Sequence, residues 1–267
     1  MILQYNLGNL QKVNNYREAF QLVGMPSQVI SFVGGGGKTT TIRRLAKTYW
    51  EEEIPVVVTT TTHMRYEDVP YMLLEESIEK LIELLDVYGK CVVGNATDRK
   101  TADGTSKFCS ASESFFEEIC QEMERRGGIV LVEADGAKEL PCKVPEEWEP
   151  VIPKQTTQVV AVYGLDAIGK TFTETCFRAE LAAELLHKKI EDKVTTDDIV
   201  CLAVSELGSR KSVGNKKLHL LLNKADSDER IAYALQICKK IDTMAEKPEN
   251  ILITGYDLYE SRQRRLS

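Results

Sequence analysis

Four consecutive glycines followed by lysine and threonine, residues 34–39, constrain this chain more than any other feature. They lie between an apolar stretch at residues 29–33 and an amphipathic stretch at residues 40–49. The order of strand, glycine turn and helix is typical of a phosphate cradle, in which backbone N–H groups turn toward an anion at the positive end of a helix. We therefore expect a nucleotide-binding segment made of Gly34, Gly35, Gly36, Gly37, Lys38, Thr39 and Thr40.

Within this segment, Lys38 is expected to reach the terminal phosphates and to act in catalysis, and the Thr39 hydroxyl is expected to bind Mg²⁺. The strict pattern GxxxxGK[ST] requires glycine where this chain has Phe32, so only its second half is present. A glycine-rich turn with a solvated lysine is the alternative interpretation. The flanking strand and helix patterns favour the nucleotide site.

Composition limits the class of protein. The chain has 267 residues, of which 43% are hydrophobic and 28% charged, and no repeat or Pro/Ser-rich linker divides it, so we predict one domain over residues 1–267. No apolar run approaches the roughly 18 residues of a membrane span, and the polar first twenty residues do not resemble a signal peptide. We expect a soluble cytoplasmic protein with no membrane partner.

The net charge of −7 argues against a nucleic-acid partner. The seven cysteines lie far apart in the sequence and are predicted to be free thiols.

Apolar, β-branched runs alternate with helical patterns along most of the chain. Strands apolar on both faces and separated by helices favour an α/β fold of the P-loop NTPase type, a doubly wound and mostly parallel sheet with helices on both faces. Two polar segments, residues 95–112 and 135–158, are predicted to be loop insertions at the ligand-binding edge. The predicted strands are residues 28–33, 55–60, 90–94, 128–133, 157–163, 218–223 and 250–254, and the predicted helices are residues 38–50, 73–87, 112–126, 175–189, 196–204 and 228–242.

An apolar strand at residues 128–133 ends in two carboxylates, Glu133 and Asp135, followed by Gly136. Because side chains repeat every second residue along an extended chain, both carboxylates are expected on one side. Together with Thr39 they form the predicted Mg²⁺ site, and both are candidates for catalysis. The alternative is solvated charge at the edge of a sheet.

The sequence Asn223-Lys224-Ala225-Asp226 follows another apolar strand and fits the pattern NKxD. A carboxylate at the last position can accept hydrogen bonds from both N1–H and the exocyclic amine of guanine, whereas adenine offers no such pair of donors. Asn223, Lys224 and Asp226 are therefore expected to recognise the base, and GTP is preferred over ATP. A chance match of four residues is the alternative.

Two further strand ends carry weaker signals. The run Thr59–Thr62 precedes His63, which is a candidate proton relay near the phosphates, although a lone histidine is more often structural. The last predicted strand ends at Thr254, and backbone groups around Tyr256 are expected to flank the base.

Several segments taken together resemble the YqeC family, accessory proteins for selenium-dependent molybdenum hydroxylases. The resemblance implies a P-loop nucleotide-binding protein acting in the maturation of that enzyme or its cofactor. The segments are VGGGGKTTT (33–41), VTTTTHM (58–64), LVEADGAKELPCKVPEEWEPVIP (131–153), VYGLDAIGK (162–170), FRAE (177–180) and LLNKAD (221–226).

Three basic residues in these segments, Lys138, Lys143 and Arg178, are candidates for contacting a phosphorylated substrate or a partner. An ordinary ion pair at a helix start is the alternative for Arg178. Cys142 stands where the family pattern PLKAP has no cysteine, so no special sulfur or selenium role is expected of it.

These inferences lead to one main hypothesis, a Mg²⁺-dependent nucleotide hydrolase with GTP preferred over ATP, supporting maturation of a selenium-dependent molybdenum hydroxylase or its cofactor. A phosphoryl- or nucleotidyl-transferase acting on a cofactor precursor is the first alternative. A chaperone gated by nucleotide without hydrolysis is the second. The sequence leaves a homodimer open.

Overall fold

The structure, a computed structural model, describes residues 1–6, 8–25 and 27–255 and has a mixed α/β architecture. The strands are β1 (Ile2–Asn6), β2 (Asn9–Lys12), β3 (Gln28–Gly34), β4 (Val56–Thr60), β5 (His63–Arg65), β6 (Met72–Leu73), β7 (Lys90–Val93), β8 (Asn95–Lys100), β9 (Ser106–Cys109), β10 (Ile129–Glu133), β11 (Cys142–Lys143), β12 (Gln158–Gly164), β13 (Cys176–Phe177), β14 (Lys217–Asn223) and β15 (Asn250–Thr254). The helices are α1 (Tyr16–Ala19), α2 (Lys38–Glu51), α3 (Ile78–Tyr88), α4 (Glu113–Arg125), α5 (Phe172–Thr175), α6 (Ala179–Leu186), α7 (Thr196–Val204) and α8 (Asp228–Asp242).

One large sheet organises the chain, in the order β2-β1-β15-β14-β12-β3-β10-β4-β7-β6. From β15 to β6 all neighbours are parallel, and only β1 and β2 join in antiparallel pairing. All seven predicted strands lie in this sheet, with bounds shifted by a residue or two. The expectation of a mostly parallel sheet is confirmed.

Helices pack on both faces of the sheet because successive strand residues point to opposite sides. On one face, Ile42 and Leu45 of α2 pack with Phe32 and Leu131 of the central strands. On the other face, α3 and α4 cover β4 and β10, and α6, α7 and α8 cover β12 and β14. The strands are therefore buried on both sides, as their apolar sequences indicate.

Parallel pairing brings the carboxyl ends of the central strands to one edge. Glu133 at the end of β10 is in register with Phe32 of β3 and with Thr60 of β4. Gly164 at the end of β12 is in register with Asn223 at the end of β14. The candidate residues that follow these strands therefore start from neighbouring positions.

The segment 95–112 differs from its predicted loop. It forms the antiparallel hairpin β8–β9, and β9 also pairs with β5 to make a separate three-stranded sheet. Its polar composition reflects exposure on this small sheet, where four of the six residues of β8 are exposed. The hairpin β1–β2 was also missed, because its short strands carry no strong apolar alternation.

The segment 135–158 is mostly irregular, as predicted, apart from β11, which pairs with β13. The predicted helices at 73–87 and 175–189 are shorter in the structure, beginning at Ile78 and Ala179. None of the helices in the described part of the chain has the length and apolar character needed to cross a bilayer.

Candidate functional site

Helix α2 begins without a side-chain cap, unlike α3, α4 and α8. A serine side chain accepts a hydrogen bond from the first turn of each of those three helices. The N-cap of α2 is Gly37, at φ 120°, which has no side chain to do so. Among residues 1–6, 8–25 and 27–255, no acceptor is present for the backbone N–H groups of the first turn, which belong to Gly37, Lys38, Thr39 and Thr40. N–H donors at a helix amino end favour negative charge nearby.

The preceding glycines use their N–H groups inside the protein. Gly34 N–H donates to Asp135 Oδ2 at 2.9 Å, Gly35 N–H to the Val162 carbonyl at 2.9 Å, and Gly36 N–H to the Leu140 carbonyl at 2.9 Å. In this conformation the N–H groups of these three glycines therefore bind groups of the protein itself. The N–H groups that have no acceptor among the described residues begin at Gly37, the last residue of the loop.

Close packing makes glycine necessary in this loop. A methyl group on Gly36, whose φ is 72°, would lie 2.1 Å from the backbone nitrogen of Gly164. A methyl group on Gly37 would lie 2.4 Å from Asn223 Nδ2. The loop is thus held against β12 and β14 at a distance that only glycine permits.

Lys38 is buried, with 5% of its surface exposed, and its ammonium lies 3.0 Å from Asp135 Oδ1 and donates to the Gly34 carbonyl. Burial alone would lower the pKa of this ammonium, but the charges of Asp135 and Glu133 outweigh it and raise the pKa. Lys38 therefore carries a positive charge next to the uncapped end of α2.

The Thr39 hydroxyl donates to Glu133 Oε2 at 2.6 Å. Burial raises the pKa of the Glu133 carboxyl, against the opposing effects of the Lys38 charge and the Thr39 hydrogen bond. The Thr60 hydroxyl donates to the Glu133 carbonyl at 2.8 Å, so the end of β4 fixes the end of β10. Thr39 and Glu133 are placed together, as the sequence predicts.

The three predicted metal ligands, Thr39, Glu133 and Asp135, do not form a complete metal site on their own. Among the described residues, no group of three or more His, Cys, Asp or Glu is arranged to hold a metal ion. Asp135 is engaged by Lys38, by the Gly34 N–H and by the Lys143 ammonium at 3.3 Å. Thr39 and Glu133 are the two predicted ligands that fit a Mg²⁺ ion, because such an ion completes its coordination with phosphate oxygens and waters.

The basic residues proposed to contact a partner lie in different environments. Lys143 is buried and pairs with Glu149 at 2.8 Å, and Glu149 also pairs with Arg178. Lys138 is exposed, and its ammonium lies 4.9 Å from the centre of the Phe177 ring. In this conformation only Lys138 presents its ammonium to a partner, since Lys143 belongs to an internal charge network and Arg178 is largely buried.

The charges of this network hold one carboxyl ionised. Burial acts to raise the pKa of Glu149, but its hydrogen bonds with Arg178 and Lys143 outweigh burial and lower the pKa. The network therefore ties the segment 135–158 to the start of α6 in a charged state.

The NKAD segment lies against the glycine loop. Asn223 Nδ2 donates to the Gly36 carbonyl at 2.7 Å, and the Asn223 amide oxygen accepts from the Thr254 hydroxyl at 2.8 Å. Lys224 pairs with Asp166 at 2.8 Å. Asp226 is partly exposed, and its carboxylate lies 3.7 Å from the Arg230 guanidinium. Asn223 thus links the two strand ends to the loop, and Asp226 lies three residues further along.

Two other candidates lie apart from this cluster. His63 starts β5 on the small sheet, where burial and the charges of Arg99 and Lys107 lower its pKa. Cys142 is buried in β11, and burial raises the pKa of its thiol. Tyr256 lies outside the described residues.

Sequence reasoning missed Asp166, Leu140 and Thr254 as parts of the site. Asp166 follows β12, so the strand-end rule that selected Glu133 and Asp226 would have found it. Leu140 contributes only its backbone carbonyl, which no side-chain pattern reveals.

Comparison with known proteins assigns the chain to a family. Residues 30–180, more than half of the chain, match the family model described as YqeC protein. A relative from Escherichia coli (strain K12), described as "Uncharacterized protein YqeC", is 35% identical over 86 residues, which are 32% of this chain and 34% of the relative. The match thus spans about a third of the length of that curated relative. From the extent of the family match, the chain belongs to the YqeC family.

Proposed function

We propose that this protein binds a nucleoside triphosphate at the amino end of α2 and hydrolyses it with Mg²⁺. The observation that carries the proposal is the combination of four open N–H donors with the buried, charged Lys38 beside them. A helix amino end and a fixed ammonium both favour negative charge at the same point. A polyphosphate supplies that charge.

Thr39 and Glu133 are the residues that would hold Mg²⁺, which neutralises charge on the phosphates when bound. Lys38 and the open N–H groups would stabilise the negative charge that develops on the transferred phosphoryl group. The Lys38 ammonium lies between the Asp135 carboxylate and the Gly34 carbonyl, so the phosphate oxygens would compete with these two groups for it.

Guanine is the proposed base. Asn223 bonds directly to the glycine loop, which supports placing the base beside the segment 223–226 once the phosphates lie on α2. Asp226 would accept the two guanine donors, N1–H and the exocyclic amine, through its carboxylate. ATP is the alternative nucleotide.

The biological setting we propose is the maturation of a selenium-dependent molybdenum hydroxylase or its cofactor in the cytoplasm. This part rests on the family resemblance alone. The transferase alternative requires the segment 135–158 to hold an acceptor, but the cavity beside Asp135 and Lys143 has a volume of only about 10 Å³. An acceptor held there would have to open the buried charge network first.

One observation favours a second candidate, a chaperone gated by nucleotide. The Leu140 carbonyl accepts from Gly36, so a change in the glycine loop on nucleotide binding would be transmitted to the segment 135–158. Release of inorganic phosphate separates the two candidates. Steady turnover that is lost in Lys38→Met supports the hydrolase, and tight binding without turnover supports the gated chaperone.

The test of binding is calorimetric titration of GTP and ATP, each with Mg²⁺. In Asp226→Asn the affinity for GTP should fall about tenfold to a hundredfold, because a paired acceptor is lost, and the affinity for ATP should not change. Asp228→Asn, an exposed carboxylate two residues away, is the matched control. Equal effects on both nucleotides would contradict the guanine preference, and no binding at millimolar concentration would contradict the nucleotide site itself.

A further inference from the structure

A second cavity lies on the face of the sheet that carries α2, away from the amino end of the helix. Its volume is about 320 Å³, in the range of small-molecule sites, and most of its lining is apolar. Its walls come from the outer side of α2, from β4 and β7, and from the small three-stranded sheet. The side chains that shape it include Ile42, Ala46, Val58, Met64, Met72 and Phe108.

The rim of this cavity is basic. Arg43 pairs with Glu67, Arg65 with Asp103 and Lys47 with Glu51, so these three cations have acidic partners. Lys90 differs, because no carboxylate in residues 1–6, 8–25 and 27–255 lies within ion-pair distance of its ammonium. Lys90 is therefore the cation of this rim that has no acidic partner among the described residues.

Two aromatic rings hold the Lys90 ammonium at one end of the cavity. The ammonium lies 3.5 Å from the centre of the Trp50 ring and 4.6 Å from the centre of the Tyr71 ring. The Trp50 indole N–H donates to the Tyr88 carbonyl at 3.0 Å, which fixes the ring although 43% of the residue is exposed. The cation is therefore positioned before any ligand arrives, and hydrogen-bond donors remain on its nitrogen.

We propose that this cavity binds a small organic anion with a flat aromatic body. The methionine and aromatic walls provide soft apolar contacts for a ring, and Lys90 provides the charge-assisted hydrogen bond for a carboxylate, sulfonate or phosphate on its edge. A neutral apolar ligand would leave Lys90 without a counter-charge, and an acidic peptide would leave the deep apolar part unfilled. The inference does not depend on the proposed nucleotide site.

The test uses 2-naphthoate as the anionic probe and 2-naphthamide as its uncharged match. The protein carries ¹³C-methyl methionine, which reports on Met64 and Met72 in the cavity and on four methionines elsewhere. Titration of 2-naphthoate should shift the Met64 and Met72 signals alone, with a dissociation constant on the order of 1 mM for a ligand of this size.

The variant Lys90→Met keeps the apolar stem and removes the charge. It should weaken 2-naphthoate about fivefold to tenfold and leave 2-naphthamide unchanged, while Lys80→Met on α3, outside the cavity, should change neither. The proposal is overturned if millimolar 2-naphthoate does not shift Met64 and Met72, or if naphthoate and naphthamide bind equally well. It is also overturned if those signals change with protein concentration alone, because a second copy of the chain would then cover the cavity.

Discussion

The two ends of α2 differ in their charged contacts and in the space beside them. At the amino end, Lys38 is buried and pairs with Asp135, and the adjoining cavity holds about 10 Å³. At the carboxyl half, Lys90 rests on Trp50 beside a cavity of about 320 Å³ that is already open. One end has charge and little space, and the other has space beside Lys90, whose ammonium has no carboxylate partner among the described residues.

The difference teaches how each end would meet a ligand. At the amino end, the N–H groups of residues 37–40 have no acceptor among the described residues, whereas those of residues 34–36 donate to carbonyl and carboxylate groups. A ligand there would compete with hydrogen bonds inside the protein. At the carboxyl half, the Lys90 ammonium rests on aromatic rings and has no carboxylate partner among the described residues, so binding there would depend on shape and on one charge. Affinity at the amino end would therefore depend on a change in the conformation of the loop, whereas affinity in the cavity beside Lys90 would depend on which side chains line it.

The largest effect is expected from Gly36→Ala, which attacks the packing of the amino end. The added methyl group would meet the Gly164 nitrogen at 2.1 Å, and φ is positive, so the free energy of unfolding should fall by about 4 kcal/mol. Gly169→Ala is the matched control, because Gly169 also has a positive φ but nothing lies near its added methyl group. Chemical denaturation measures both, and equal losses would show that close packing at Gly36 is not what matters.

A smaller loss is expected from Lys38→Met. Removing the ammonium leaves the buried Asp135 with the Gly34 N–H and the Lys143 ammonium at 3.3 Å as its remaining partners, which should lower the free energy of unfolding by about 3 kcal/mol. Lys47→Met, on the exposed side of the same helix, should change it by less than about 0.5 kcal/mol. If both variants unfold alike in urea, the charge network at the amino end is not a source of stability.

Glu133→Gln should stabilise the protein at pH 7 by roughly 1 kcal/mol, because burial disfavours the charged form of this carboxyl and the neutral amide that replaces it still accepts from Thr39. The pKa of Glu133 is raised in the folded state, so its folded form binds more protons than its unfolded form above the ordinary pKa of a glutamate. Stability contributed by this group is therefore present at low pH and is lost as pH rises through the folded pKa.

Unfolding measured between pH 4 and 8 checks this sign. In the wild type, the contribution of Glu133 makes the free energy of unfolding decline as pH rises, and Glu133→Gln should lack this decline. Glu51→Gln, at the exposed end of α2, should retain it. A variant that declines like the wild type would mean that Glu133 does not ionise over this range.

The smallest effect is expected from Arg43→Gln, which alters the residue between the two ends. Arg43 lines the open cavity and its charge also lowers the pKa of Glu133. Because the Arg43 side chain is 55% exposed, the free energy of unfolding should change by only about 0.3 kcal/mol. Loss of the Arg43 charge should raise the pKa of Glu133, so the decline in the free energy of unfolding that Glu133 causes should move to higher pH. Lys47→Gln should not move it, and an unmoved decline in Arg43→Gln would show that the two ends are electrostatically independent.

The amino end could be predicted from the sequence to a large extent, because its chemistry is contiguous along the chain. Residues 34–39 and the carboxylate at Glu133 are recognisable from strand ends and spacing, and the structure brings Lys38, Thr39 and Glu133 together. The Gly36 hydrogen bond to Leu140 was not predictable, since it uses a backbone carbonyl.

The open cavity could not be predicted from the sequence. Val58, Met64 and Phe108 look like ordinary core residues, and only the pairing of β5 with β9 shows that they surround a space. Lys90 and Trp50 are forty residues apart, and no pattern of spacing joins them. Their contact arises because the carboxyl end of α2 lies beside the start of β7, where the Trp50 indole also donates to the Tyr88 carbonyl.

The measurement that tests the central claim most directly is an amide NMR titration with GTP and Mg²⁺. The account predicts that the largest shifts and the strongest protection from hydrogen exchange occur at the N–H groups of Gly37, Lys38, Thr39 and Thr40, the open donors at the start of α2. Smaller shifts are expected at Gly36, whose N–H is bonded to Leu140. Binding that leaves these four amides unchanged would contradict the account.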